Sequence, residues 1–178
     1  IPLAAQFALA GKTFDALAFD KLKSQFKRPH KLSMRQWLTD FSSSTTLQYK
    51  LITYFALHPN AKEEYARVIE GEKLLEVAGF SRSHYQIIAA WFLTDAAHAK
   101  RAKLLHEEMK RHHYFLTGKD DIPYAVLLTK ETGDIKKQAK TMRMYYDALQ
   151  EQGFKKGESL QAMTQLLTLY ADEVEETL

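Results

Sequence analysis

The chain carries seven histidines and no cysteine, which leaves imidazole available for chemistry and excludes disulfides and thiolates. The densest run is His106-Glu107-Glu108-Met109-Lys110-Arg111-His112-His113. Glu108 and His112 fall on one face of a helix, a usable pair of ligands for zinc or iron. The rest of the run opposes that use. Lys110 occupies the place where a zinc-protease helix carries its second histidine, and Asp95 with His98 supplies only one acid-to-histidine step where a di-iron bundle needs two, with Glu. Lys100, Arg101, Lys103, Lys110 and Arg111 would repel a cation. A solvated helix face accounts for the run, and neither a metal nor a cofactor is expected.

His112, His113, Asp120 and Asp121, with Thr117 between them, are the candidates for catalysis. A carboxylate beside imidazole can tune a general base. The same residues have structural uses: histidine in a last helical turn complements the helix dipole, and Thr117, Asp120 or Asp121 can cap the next helix. No nucleophile elbow, phosphate-cradling glycine loop, dinucleotide fingerprint or zincin motif occurs, so the reading leans away from an enzyme.

A nucleic-acid reading competes. Residues 74–92 can be written as helix, Ala78-Gly79-Phe80-Ser81 turn, helix, with Arg82, His84 and Gln86 placed to reach base edges. Lys21, Lys23, Lys27, Arg28, Lys31 and Arg35 could face phosphates. Against it, the second helix is apolar from Ile87 onward, as a core helix is. With 25 basic and 22 acidic side chains, the net charge of +3 is too small to argue for nucleic acid or membrane. No apolar run approaches membrane-spanning length. An acidic end at Asp172, Glu173, Glu175 and Glu176 stands opposite the basic stretch. The charge runs allow self-association or a protein partner; solubility alone also explains them.

The elements that must carry these residues are helices. The chain is 46% hydrophobic with only 7 Gly and 4 Pro, too apolar for disorder and too poor in turn formers for a β fold. Ile135, Ala139, Met142, Tyr145, Tyr146 and Leu149 recur at helical steps from Asp134 to Gln152, closed by Gly153. Ala61 to Ala78 and Ala97 to His113 read the same way, the former capped by Asn60 and closed by Gly79. Ser81 or Ser83 can cap the helix carrying Ile87 to Leu93, and Asp120 or Asp121 the next, with Pro123 in its first turn. Phe14 to Phe26, Leu32 to Phe41 and Leu47 to Leu57 are shorter periodic stretches. The expectation is an all-α fold of about ten helices.

Internal similarity suggests stacked repeats. Gly79-Phe80 with Leu93-Thr94 aligns without a gap on Gly153-Phe154 with Leu167-Thr168, and Trp37 falls in the place of Trp91. The organisation expected is a single helical domain: a divergent repeat over 1–48, then repeats over 49–108 and 109–178. Phe80 and Phe154 would plug equivalent corners, and the two tryptophans would be equivalent core anchors. The opening Ile1-Pro2, without Met, reads as a fragment of a longer chain.

The stretch His113-Tyr114-Phe115-Leu116-Thr117-Gly118-Lys119-Asp120-Asp121, then Ala125 to Leu128, then Tyr146-Asp147-Ala148-Leu149 through Gly153-Phe154-Lys155-Lys156-Gly157 to Leu160-Gln161, resembles an all-helical bacterial domain family of unknown function found mainly in bacilli and their relatives. The family pattern has a "His, aromatic, Leu-Thr, paired Asp" step and a later "Gly-Phe, Gly, Leu-Gln" step. The resemblance is best over residues 57–178 and implies fold and a bacterial cytoplasmic origin, which the lack of cysteine permits. It transfers no site. The function expected is a noncatalytic protein-binding or scaffolding module. The alternative is a helix-turn-helix DNA-binding regulator, and third comes a metal-dependent or hydrolytic enzyme.

Overall fold

Short polar side chains that accept backbone N–H groups set several helix starts in this protein. The computed structural model describes residues 3–25, 49, 52–58, 60–113 and 116–170, and among these every regular element is helical. The expected helix from Leu32 to Phe41 with Trp37, the basic residues from Lys27 to Arg35, and the acidic residues from Asp172 to Glu176 lie outside the described residues. The chain divides into two compact units, 1–68 and 69–178, with the boundary inside one helix.

The first unit holds α1 (Leu3–Leu9), α2 (Ala16–Gln25), a short α3 (residues 52–57) and the start of α4 (Ala61–Val77). Asp15 starts α2: its Oδ1 accepts the backbone N–H groups of Leu17 at 2.9 Å and Ala18 at 3.1 Å. Gly11, with φ of 64°, makes the left-handed turn out of α1 that a Cβ would strain. Phe7, Phe19 and Ile52 form the buried cluster, and Phe14 meets Phe7 edge-on with centroids 5.2 Å apart.

The second unit holds the rest of α4, then α5 (Tyr85–Phe92), α6 (Ala96–His112), α7 (Ile122–Leu128), α8 (Ile135–Glu151) and α9 (Glu158–Tyr170). The seven-residue α7 packs against α5, α6 and α9, while α8 lies against α6 and α9. Ile-Pro-Tyr-Ala-Val-Leu-Leu is apolar on all sides because helices surround it. Leu105, Met109, Ala125, Leu128, Ala139 and Met142 make the core where α6, α7 and α8 meet. His98, on α6 and fully buried, ties α6 to α7. Its Nε2 donates to the Val126 carbonyl at 2.8 Å, while Nδ1 accepts the Thr94 backbone N–H at 3.3 Å.

Asp95 and Asp134 cap α6 and α8. Asp134 Oδ1 accepts the N–H groups of Lys136 at 2.9 Å and Lys137 at 3.1 Å. Its replacement by alanine is expected to destabilise the second unit by about 1 kcal/mol; urea unfolding followed by circular dichroism reads this, and no change would show that α8 starts without its cap. The start of α5 differs from expectation. Neither Ser81 nor Ser83 caps it: the N-cap position is His84 without a side-chain bond, and Gln86 reaches back instead. Gln86 Oε1 accepts the Ser83 N–H at 3.1 Å, and its Nε2 donates to the Phe80 carbonyl at 3.4 Å. A side chain inside the first turn thus ties down the segment before the helix, and no serine side chain accepts a first-turn N–H.

The two Gly-Phe steps share their cap but not their surroundings. Gly79 and Gly153 have φ of 96° and 92°, and in each case the following Phe N–H returns to the leucine carbonyl five residues back, at 3.0 and 3.1 Å. Yet Phe80 is 5% exposed and Phe154 is 47% exposed. Leu93 ends α5 in extended backbone, whereas Leu167 lies inside the longer α9. The repeated motif is a way of ending a helix, and stacked repeats are not confirmed.

Candidate functional site

The loop between α6 and α7 crosses the face of α9, and the polar side chains between them are nearly all inside. Asp121 is only 4% exposed. It stands at the N-cap position of α7 but makes no side-chain cap bond there. Its Oδ2 accepts the Gly118 N–H at 2.7 Å, and its Oδ1 accepts the Nε2 groups of Gln161, at 3.1 Å, and Gln165. Gln161 Nε2 also reaches Thr117 Oγ1 at 3.3 Å. The carboxylate only accepts, so both glutamine amides turn their nitrogens toward it. Their Oε1 atoms are left buried without a hydrogen-bond partner.

This network separates two cavities. On one side lies a small space of about 10 Å³, bordered by His112, His113, Thr117, Gln161 and Gln165 among others. On the other, an open cleft of about 260 Å³ lies between the α6–α7 loop, the starts of α5 and α9, and α7. Its walls include Tyr85, Tyr124, Asp120, Asp121, Glu158 and Ser159. Gln161 borders both.

A family profile described as "Protein of unknown function (DUF4003)" matches residues 2–178. The chain belongs to the DUF4003 family. It is also 28% identical over 126 residues to "Uncharacterized protein YeaA" of Bacillus subtilis (strain 168), an alignment covering 66% of this chain and 38% of that protein. The chain therefore spans well under two thirds of the relative's length. No solved structure matches it. In this DUF4003 chain the Asp120-Asp121 and Leu160-Gln161 steps, distant in sequence, meet in the Asp121–Gln161 hydrogen bond.

The candidate catalytic residues divide across the network. His112 and His113 border the smaller space, and Asp120 and Asp121 border the cleft. His113 packs edge-on against Tyr146 with centroids 4.5 Å apart. His112 Nε2 is 3.9 Å from Glu108, whose other oxygen pairs with Arg111 at 2.7 Å. No group of three or more His, Asp or Glu side chains among the described residues is placed to hold a metal ion. Of the DNA-reading candidates, Arg82 forms a two-point ion pair with Glu76, Nε to Oε1 at 2.6 Å and Nη2 to Oε2 at 2.9 Å. His84 lies over Tyr85, and Gln86 is buried with both ends of its amide engaged. The turn between α4 and α5 runs from residue 78 to 84, longer than a helix-turn-helix connection.

Burial sets the titration of the site. His106 donates Nε2–H to the Gly118 carbonyl at 2.7 Å, yet burial holds its pKa below the ordinary histidine value. His113 is lowered too, first by burial and then by the Arg143 charge. Both groups take a proton more readily in the unfolded chain, so acid favours unfolding. Stability is expected to hold at neutral pH and to fall as pH drops below about 6.5 toward the lowered folded values. Thermal melts across this range read the effect, and His106→Gln, which keeps a donor for Gly118, should flatten the dependence. An acid-insensitive melt in the parent protein would contradict the burial argument. Asp120 moves the other way: burial, then the charges of Asp121 and Glu158, raise its pKa above the usual carboxylate value.

Sequence reading found Thr117, Asp120 and Asp121 but missed Gln165, Tyr85, Tyr124 and Glu158. Gln161 was visible only as part of the family pattern. Polar residues at helical spacing in a leucine-rich helix are the signal that was available: α9 buries Gln161, Thr164 and Gln165 beside Leu160.

Proposed function

We propose that this chain is a noncatalytic protein-binding module whose docking site is the cleft between α5, α7, α9 and the α6–α7 loop. The observation that carries the reading is the make-up of that cleft. Tyrosine rings and carboxylates line an open space, a composition suited to gripping a side chain. The candidate histidines His112 and His113 border the smaller space beyond Gln161 instead. General acid–base chemistry needs its groups within hydrogen-bond reach of one reacting atom, and this arrangement supports recognition better than turnover.

Ala162 on α9 is half-buried in the cleft wall. Ala162→Trp would fill part of the space without touching Asp121. Selection from a random peptide library on the intact protein is expected to enrich peptides that bind the parent and lose affinity for Ala162→Trp by about tenfold or more. Failure to enrich any peptide, or binding indifferent to the tryptophan, would remove the reading.

A further inference from the structure

The carboxylates around the cleft lack cationic partners. Among the described residues, no lysine, arginine or histidine forms an ion pair with Asp120, Asp121 or Glu158. Lys119, adjacent in sequence, sends its Nζ to the Arg82 carbonyl at 3.2 Å instead. Arg82 is itself held by Glu76. Asp120 and Glu158 thus stand without an ion pair beside Asp121, whose oxygens are already taken by backbone and amide N–H groups, in a chain whose overall charge is +3. A separate observation points to a donor: Gln161, only 4% exposed and part of the cleft wall, has an Oε1 with no hydrogen-bond partner.

We propose that the cleft receives a lysine or arginine side chain presented by an extended basic segment of a partner protein. The inference rests on the protein-binding reading above and names its occupant. Four features converge on a long cationic side chain. Asp120 and Glu158 supply the counter-charge, and in a cleft their attraction is less screened than on a flat surface. Tyr85 and Tyr124 line the cleft, where the aliphatic stem of such a side chain can pack against them. Gln161 Oε1 is an acceptor for its N–H groups. The space of about 260 Å³ falls below the about 300–1,000 Å³ usual for small-molecule pockets, so one side chain fits better than a metabolite of drug size. A metal ion suits the cleft poorly because the carboxylates do not converge as a ligand group.

Binding of fluorescent peptides to the intact protein, read by anisotropy, tests this. The peptides share a Gly-Ser background and carry paired lysines, paired arginines, paired glutamates or no charge. The cationic peptides are expected to bind and the others not to. Asp120→Asn combined with Glu158→Gln should weaken binding about tenfold, and so should raising salt from about 50 mM to about 300 mM. Circular dichroism of the double variant checks its fold, and Ala162→Trp, which leaves every carboxylate in place, gives a second way of closing the cleft. If the uncharged or acidic peptides bind and Ala162→Trp abolishes that binding, the occupant is misassigned while the module reading stands. If no peptide binds at all, both fall. Cationic peptides that bind the double variant unchanged, or a linear polyamine that binds tightly where the peptides do not, would overturn the proposal.

Discussion

Asp121→Ala is expected to destabilise the second unit by about 3–5 kcal/mol, lowering its melting temperature by about 10 °C or more. Three donors converge on this carboxylate: the Gly118 N–H and the Nε2 groups of Gln161 and Gln165. Alanine would strand the Gly118 N–H and the Gln165 amide, and leave Gln161 Nε2 only its 3.3 Å contact with Thr117, where water reaches poorly, since Gln161 and Gln165 are 4% and 0% exposed. Each unsatisfied buried donor costs about 1–3 kcal/mol, and charge-assisted bonds are the stronger kind. Asp121→Asn separates the parts of this argument. It keeps one accepting oxygen and the same shape, and its new N–H₂ can donate to a rotated glutamine whose Oε1 otherwise has no partner. The asparagine variant should therefore lose about half as much stability as the alanine variant. Chemical denaturation of the three proteins gives the comparison. Equal melting of parent and alanine variant would mean that the loop and α9 are held together by apolar contacts alone. The cleft wall depends on the same carboxylate, so Asp121→Ala should also loosen the site, whereas changes at Asp120 and Glu158 leave the Asp121 bonds to Gln161 and Gln165 in place.

The helices were legible in the sequence where one apolar stripe ended at a strong stop. Ala61 to Ala78, Ala97 to His113 and Asp134 to Gln152 were expected, and Ala61–Val77, Ala96–His112 and Ile135–Glu151 are observed. Gly79 and Gly153 mark two of these ends by adopting the positive φ that closes them. The same step misled at the next level. Local cap geometry repeats faithfully, but the burial of the phenylalanine after it depends on which helix arrives from elsewhere, and pairwise similarity carries no information about that. Asp121 shows the complementary failure. Its position before an apolar helix with Pro123 in the first turn announces a cap. The side chain turns away to α9 because two glutamines there offer donors in a dry environment, which outweigh a cap bond that water can replace. Tertiary hydrogen bonds of this kind leave no periodic trace. The Asp pair and the Leu-Gln step of the family pattern were the only hint that these segments belong together.

Gly71→Val is expected to destabilise the second unit by about 3 kcal/mol, and even Gly71→Ala should be unfavourable. At an ordinary exposed helix position, alanine would instead gain about 1 kcal/mol over glycine. Here a Cβ at residue 71 would lie 2.9 Å from the Ala90 carbonyl oxygen, 3.0 Å from Ala90 Cβ and 3.2 Å from Ala90 Cα. Two of these three atoms are backbone, so no rotamer change relieves the contact; α4 and α5 must move apart. That movement reaches the cleft, because Tyr85 lies at the first turn of α5. The double variant Gly71→Ala with Ala90→Gly locates the strain. Removing the Ala90 methyl relieves only the 3.0 Å contact and leaves the carbonyl in place, so the rescue should be partial, and the coupling between the two sites measurable in a double-mutant cycle. Full rescue would place the conflict in the side chain alone and allow the helix backbones to stay where they are. A rise in melting temperature for Gly71→Ala would show slack between α4 and α5, and the position of Tyr85 would then have to be set by α7 and the loop rather than by this helix contact.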